Sequence, residues 1–62
     1  MIDYIYKKLT SYGYHAIIKN DPILHLQILA VDDRKQKTIN HICKKYEVKT
    51  ERKKNILYIL EG

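Results

Sequence analysis

The sequence predicts an α+β domain with the element order αββαββ, in which two helices pack on one face of a four-stranded, mostly antiparallel sheet. Two stretches carry apolar residues at helical spacing, and each is followed by a pair of short strand-like stretches separated by turn residues. The chain has 62 residues, which is enough for one domain only. We therefore treat residues 1–62 as a single small, basic α+β domain.

The first helix is predicted over residues 2–12. Asp3 near its start and the lysines near its end complement the helix dipole, and Gly13 is a residue type that commonly ends a helix. An apolar stripe at positions i, i+3, i+4 and i+7 marks the face that is expected to be buried. The stripe consists of Ile2, Ile5, Tyr6 and Leu9.

The first hairpin is predicted from strands at 14–19 and 23–30. Between them, Asn20, Asp21 and Pro22 are typical turn residues. The second strand alternates cleanly, so that Leu24, Leu26, Ile28 and Ala30 share one face. This alternation predicts that one face of the sheet is covered by the helices.

The second helix is predicted from Asp33 to about Tyr46. Asp33 is expected to be the N-cap, with Gln36 three residues later as in a capping box. Its apolar stripe repeats the spacing of the first helix and consists of Ile39, Ile42, Cys43 and Tyr46. A second hairpin follows, with strands at 47–51 and 56–60 and a turn at 52–55.

The two halves of the chain resemble each other in pattern. The apolar stripe of the first helix, shifted by 37 residues, falls on the stripe of the second, and both helices precede a hairpin. This indicates two αββ units that form one sheet, although two short amphipathic helices also align by chance.

Charge and composition restrict the function classes. The formal net charge of +5 suits a nucleic acid or an acidic protein surface, while lysine also serves solubility and follows from A/T-rich coding. The single cysteine, Cys43, excludes an intrachain disulfide and favours the cytoplasm. No stretch approaches the length of a membrane span, so we expect no membrane association, and no cofactor.

Two basic stretches are the candidate nucleic-acid contacts. One is a face of the second helix and the other is the tip of the second hairpin, and both present cations as phosphate-binding surfaces do. A solvated helix face and a charged, aggregation-resistant turn explain the same residues. The candidate residues are Arg34, Lys37, His41, Lys45, Arg52, Lys53 and Lys54.

The second face of the sheet is the candidate protein interface. If the helices cover one face only, large aliphatic residues remain on the other, together with an exposed tyrosine on the first helix. A strongly curled sheet that buries both faces is the alternative. The candidate residues are Ile17, Ile23, Leu29, Leu57, Ile59 and Tyr4.

The sequence contains no pattern of a catalytic site. Its glycines are Gly13 and Gly62, so no phosphate-binding glycine loop exists, and His41 and Cys43 are two residues apart on a helix and face different directions. We therefore expect a small, non-enzymatic regulatory protein that binds nucleic acid, DNA in preference to RNA, as a homodimer or docked on a larger protein. The alternative is a protein-binding inhibitor or adaptor encoded by a virus or mobile element.

Overall fold

The computed structural model describes all 62 residues and confirms the predicted α+β fold. The order along the chain is αββαββ, and every strand pairing is antiparallel. The elements are α1 (Ile2–Ser11), β1 (Ala16–Asn20), β2 (Leu24–Ile28), α2 (Asp33–Cys43), β3 (Val48–Lys53) and β4 (Ile56–Glu61).

The four strands lie in the order β1-β2-β4-β3. The second strand of each αββ unit is therefore central, and the first strand of each unit is an edge. Leu26 of β2 lies opposite both Ile18 of β1 and Ile59 of β4. This order is what two αββ units give when they are joined side by side through their second strands.

One apolar cluster fills the space between the helices and the sheet. Both predicted helical stripes point into it, because Ile2, Ile5 and Leu9 of α1 and Ile39 of α2 are at most 1% exposed. Neither helix has the length and apolar character that a membrane crossing requires. The cluster consists of Ile2, Ile5, Leu9, Ala16, Leu26, Ile28, Val31, Ile39, Cys43, Leu57 and Ile59.

The predicted placement of Leu57 and Ile59 on the open face is wrong. Both side chains are fully buried, and the strand register sets Ile59 opposite Leu26. Side chains directly opposite each other in neighbouring strands share a face, so Leu57 and Ile59 point toward the helices. The sequence misleads here because β4 is apolar at five successive positions, 56–60, and alternation therefore cannot choose its inner face.

Several element boundaries also differ from the prediction, most of all those of α2 and β3. The N-cap of α2 is Asp32, whose Oδ1 accepts a hydrogen bond from the Lys35 N–H at 2.8 Å, and the helix ends at Cys43. Strand β3 continues to Lys53, so the turn of the second hairpin shrinks to Lys54 and the residue after it. Lys54 has a φ of 56°, a conformation that tight hairpin turns require.

Candidate nucleic-acid interface

A basic cleft lies in the groove between α1 and the C-terminal part of α2. Its volume is about 430 Å³, and none of its lining residues is acidic. The lining residues are Lys8, Tyr12, His41, Ile42, Lys44 and Lys45. The cleft therefore gathers three ammonium groups and one imidazole in a concave surface.

The packing of the two helices explains why these side chains meet. Leu9 and Cys43 point into the core, so their neighbours in sequence, Lys8 and Lys44, are turned sideways toward the groove. Lys44 and Lys45 come directly after the last helical residue of α2, in a turn that leaves both side chains exposed. The cleft is thus built from the last turns of α1 and α2 together with the residues that directly follow each helix.

Lys8 is held in place by aromatic side chains. Its Nζ donates a hydrogen bond to the Tyr46 hydroxyl at 3.3 Å and lies 5.8 Å from the ring centroids of both Tyr4 and Tyr46. Lys45 approaches the ring of Tyr46 to 5.5 Å. These contacts bring two of the cleft lysines together around one tyrosine, despite their mutual repulsion.

The same contacts change the titration of the cluster. The hydrogen bond to Tyr46 raises the pKa of Lys8, so this side chain keeps its positive charge. The neighbouring Tyr4, and after it Lys8 and Lys45, lower the pKa of the Tyr46 hydroxyl. Tyr46 in turn raises the pKa of Tyr4. Tyr46 is therefore the acceptor around which the cations are arranged.

The cleft has the chemistry of an anion site with stacking surfaces beside it. Phosphate oxygens accept hydrogen bonds from ammonium groups, and exposed tyrosine rings stack on nucleobases. The rings of Tyr4 and Tyr12 are exposed by 55% and 59%. No group of three or more His, Cys, Asp or Glu side chains is placed to hold a metal ion.

The predicted basic face of α2 leads into this cleft. His41 and Lys45 line it, whereas Arg34 and Lys37 are exposed nearer the start of the same helix. The helix has 11 residues and is therefore about 16 Å long. The four predicted side chains thus extend the positive charge of the cleft along α2.

The predicted hairpin tip divides into two parts. Arg52 faces the helix layer and forms an ion pair with Asp33, the first residue of α2, so it is a structural link rather than a free cation. Lys53 points to the opposite face of the sheet, where its Nζ lies 5.7 Å from the Tyr58 ring. Lys54 is exposed in the turn.

The tip also lies beside the beginning of α2. The Val31 N–H donates a hydrogen bond to the Asn55 carbonyl at 2.8 Å, which ties the loop before α2 to the turn. The cleft and the tip are therefore at opposite ends of the same helix.

The remaining candidate interface residues occupy separate places. Ile17 is half-buried on the open sheet face, Ile23 is 53% exposed just before β2, and Leu29 is half-buried just after it. Tyr4 contacts Tyr46 edge-on at a ring-centroid distance of 5.8 Å and therefore lies beside the cleft, not on the sheet.

Four lining residues of the cleft are not among the sequence-predicted site residues: Lys8, Tyr12, Ile42 and Lys44. A signal for two of them exists, because the pairs Lys7-Lys8 and Lys44-Lys45 occupy equivalent places in the αββ repeat. The sequence alone does not place the C-terminal end of α1 beside that of α2, and this arrangement brings Lys8 close to Lys44 and Lys45.

Comparisons of the chain with protein-family models, with curated proteins and with solved structures found no match. The candidate function therefore depends on the geometry of the chain itself.

Proposed function

We propose that this protein is a non-enzymatic nucleic-acid-binding protein that holds the phosphate backbone in the basic cleft and along α2. The observation that carries the proposal is the convergence of Lys8, Lys44, Lys45 and His41 in one cleft without an acidic neighbour. Like charges come together at an energetic cost, and a bound polyanion removes that cost.

The dimensions fit a nucleic-acid backbone. The phosphates of one strand of a DNA duplex are about 3.4 Å apart along the helix axis and also rotate around it, so the roughly 16 Å of α2 follows about two or three of them. The cleft and the exposed cations Arg34 and Lys37 provide enough positive charge to contact about four phosphates. The proposal assigns Tyr4 and Tyr12 to base contacts where the bases are unpaired.

Salt dependence and charge reversal test the proposal together. The measurement is the fluorescence anisotropy of labelled DNA and RNA probes of about 20 nucleotides, single-stranded and duplex, titrated at several salt concentrations. With about four phosphate contacts to duplex DNA, the slope of log K against log salt is expected near −3.6, a loss of about 100-fold between 50 and 200 mM salt. We expect duplex DNA to bind more tightly than duplex RNA.

The variant Lys44→Glu/Lys45→Glu tests the cleft itself. It is expected to weaken binding about tenfold or more and to reduce the magnitude of the salt slope by about 1.4–1.8, because two cations are lost. The matched control is Lys19→Glu/Lys49→Glu, which makes the same change in net charge with exposed lysines of the sheet. Equal weakening by the two variants would show that only net charge matters, and the cleft proposal would then be wrong.

Arg52 is unsuitable for such a reversal. Because it is paired with Asp33, Arg52→Glu places two carboxylates together and disturbs the start of α2. Lys54→Glu is the appropriate test of the hairpin tip, since Lys54 is exposed and the ion pair is left intact.

Docking of a protein on the open sheet face is the second proposal. It is supported by a depression of about 210 Å³ on this face, lined in part by Ile23, Tyr58 and Leu60. Leu57 and Ile59 are buried in the core and take no part in this surface. A complex of this kind would survive high salt and nuclease treatment and would be broken by Ile23→Glu.

A further inference from the structure

The two edges of the sheet differ in how well they are protected. Along the β3 edge, Lys49, Glu51 and Lys53 point to one face and Arg52 to the other, and such charges discourage pairing with another strand. The β1 edge begins with Ala16, Ile17 and Ile18 and carries no charge before Lys19. The β1 edge is therefore the one that is chemically open to another strand.

The backbone groups of β1 that point outward can be identified. The Leu29 N–H donates to the His15 carbonyl at 2.9 Å, and this pair continues the register in which Ala16 faces Ile28. Hydrogen-bonded and non-hydrogen-bonded pairs alternate in an antiparallel ladder, so odd-numbered residues of β1 bond to β2. The N–H and C=O groups of Ala16, Ile18 and Asn20 consequently point away from the sheet.

Exposed apolar side chains accompany this edge. Ile18 is 37% exposed, and Leu24, diagonally across from it on the same face, is 42% exposed. Backbone groups and apolar surface are thus available side by side.

We propose that β1 pairs antiparallel with β1 of a second copy of this chain, with Ile18 opposite Ile18 at the two-fold axis. In this register Ala16 lies opposite Asn20 of the second copy, and all three outward-pointing residues find partners. Two chains would share one continuous eight-stranded sheet, and the exposed Ile18 side chains would cover each other.

Charge and strand length favour this register over its neighbours. With Ile18 at the axis, Lys19 faces Ile17 of the second copy, so no lysine lies directly opposite another lysine. A shift of two residues in one direction sets Lys19 opposite Lys19. A shift in the other direction sets Asn20 opposite Tyr14, which lies outside β1, so fewer outward-pointing strand residues find partners. Like charges directly opposite each other destabilise a strand pair.

The expected dimer is weak. Five-residue strands bury an area at the low end of specific interfaces, so we expect a dissociation constant in the micromolar range. Sedimentation velocity between about 1 and 500 µM should show a concentration-dependent shift from the 7.4 kDa monomer to twice that mass. A chain that stays monomeric over this range would overturn the proposal.

Ile18→Pro tests the edge directly. Proline removes an N–H that points outward and is tolerated on edge strands, so the pairing with β2 is retained while pairing with a second copy is blocked. The dissociation constant is expected to rise at least about tenfold. Thr50→Pro makes the same change on the outward side of β3 and should dimerise like the unmodified chain. If Ile18→Pro fails to fold, Ile18→Lys introduces repulsion at the axis and has the same expected result.

Cross-linking tests the register. An Ile18→Cys variant should form an intermolecular disulfide under mild oxidation, because the Cα atoms of opposite residues are about 5.5 Å apart. Lys19→Cys should not, since residue 19 does not face itself. Efficient cross-linking through position 19 instead of 18, or continued dimerisation of both position 18 variants, would contradict the proposed interface.

Discussion

Burial of the Cys43 side chain decides its reactivity. The thiol is 3% exposed and packs in the core, and burial raises its pKa above the ordinary value for cysteine. Because the thiolate is the reactive form, a raised pKa and a closed environment both slow its modification. Cys43 is therefore a core residue that behaves as a small apolar side chain.

Thiol labelling provides the corresponding prediction. At pH 8 the folded chain is expected to react with a thiol reagent at least about tenfold more slowly than the chain in denaturant, with one thiol modified per chain in denaturant. The rate is followed by mass spectrometry at increasing times. Equal rates in the two states would mean that α2 does not shield Cys43.

The three lysines of the cleft differ in their surroundings. Lys8 is half-buried and bound to Tyr46, whereas Lys44 and Lys45 are exposed. Replacing Lys8 would remove the partner of Tyr46 together with a cation, so any effect on binding would be mixed with an effect on structure. Lys44 and Lys45 can be reversed without breaking a hydrogen bond, and this makes them the sharper probes.

At the scale of the element, α2 is fixed at its start by two contacts of different kinds. Asp32 caps the helix, and its bond from the Lys35 N–H lowers the pKa of the carboxyl group. Asp33 pairs with Arg52 of β3 and so joins the helix to the edge of the sheet. Since the basic face continues from this point to the cleft, the two contacts also orient the proposed interface.

The cap gives a pH-dependent prediction. Because the pKa of Asp32 is lower in the folded chain, its contribution to stability is complete above the unfolded value of about 3.9 and is lost as the pH falls through the folded value. Asp32→Ala is expected to lower Tm by about 5 °C at pH 7 and to narrow that difference below pH 4. Thermal unfolding followed by circular dichroism measures both.

Asp32→Asn is the matched control for the cap. Asparagine is an equally good N-cap and does not titrate, so this variant should keep most of the stability at pH 7. A loss as large as that of Asp32→Ala would mean that the negative charge, not the hydrogen bond, stabilises the start of α2.

The helices and strands differ in how far their buried faces can be predicted from the sequence. Helical spacing identified the buried faces of α1 and α2, because the two helices alternate apolar and charged sides. Strand β4 has apolar residues on both sides, so the sequence alone predicts the wrong face for Leu57. The register with β2 sets its inner face. The charged sequence neighbours of Arg52 predict a turn, whereas its ion pair with Asp33 is a tertiary contact that no local pattern contains.

The molecule as a whole combines a small hydrophobic core with a large positive net charge. Eleven residues form the core of a chain with a formal charge of +5, so self-repulsion works against a marginal stability. The groove between α1 and α2 concentrates this repulsion, because residues distant in sequence bring their lysines together there only when the chain is folded. The unfolded chain has the same net charge, but its lysines are not brought together in a groove.

This difference gives a test that separates a folded binding site from general attraction to a polyanion. A ligand that binds the folded chain alone stabilises it by about 2.7 kcal/mol at a concentration 100 times its dissociation constant, which raises Tm by about 10–20 °C for a domain of this size. A polyanion that binds the unfolded chain equally well leaves Tm unchanged. We therefore expect duplex DNA to raise Tm by several degrees at low salt, and the rise to disappear in Lys44→Glu/Lys45→Glu but to persist in Lys19→Glu/Lys49→Glu. A fall in Tm on adding DNA would show tighter binding to the unfolded chain, and the cleft would then not be a nucleic-acid site.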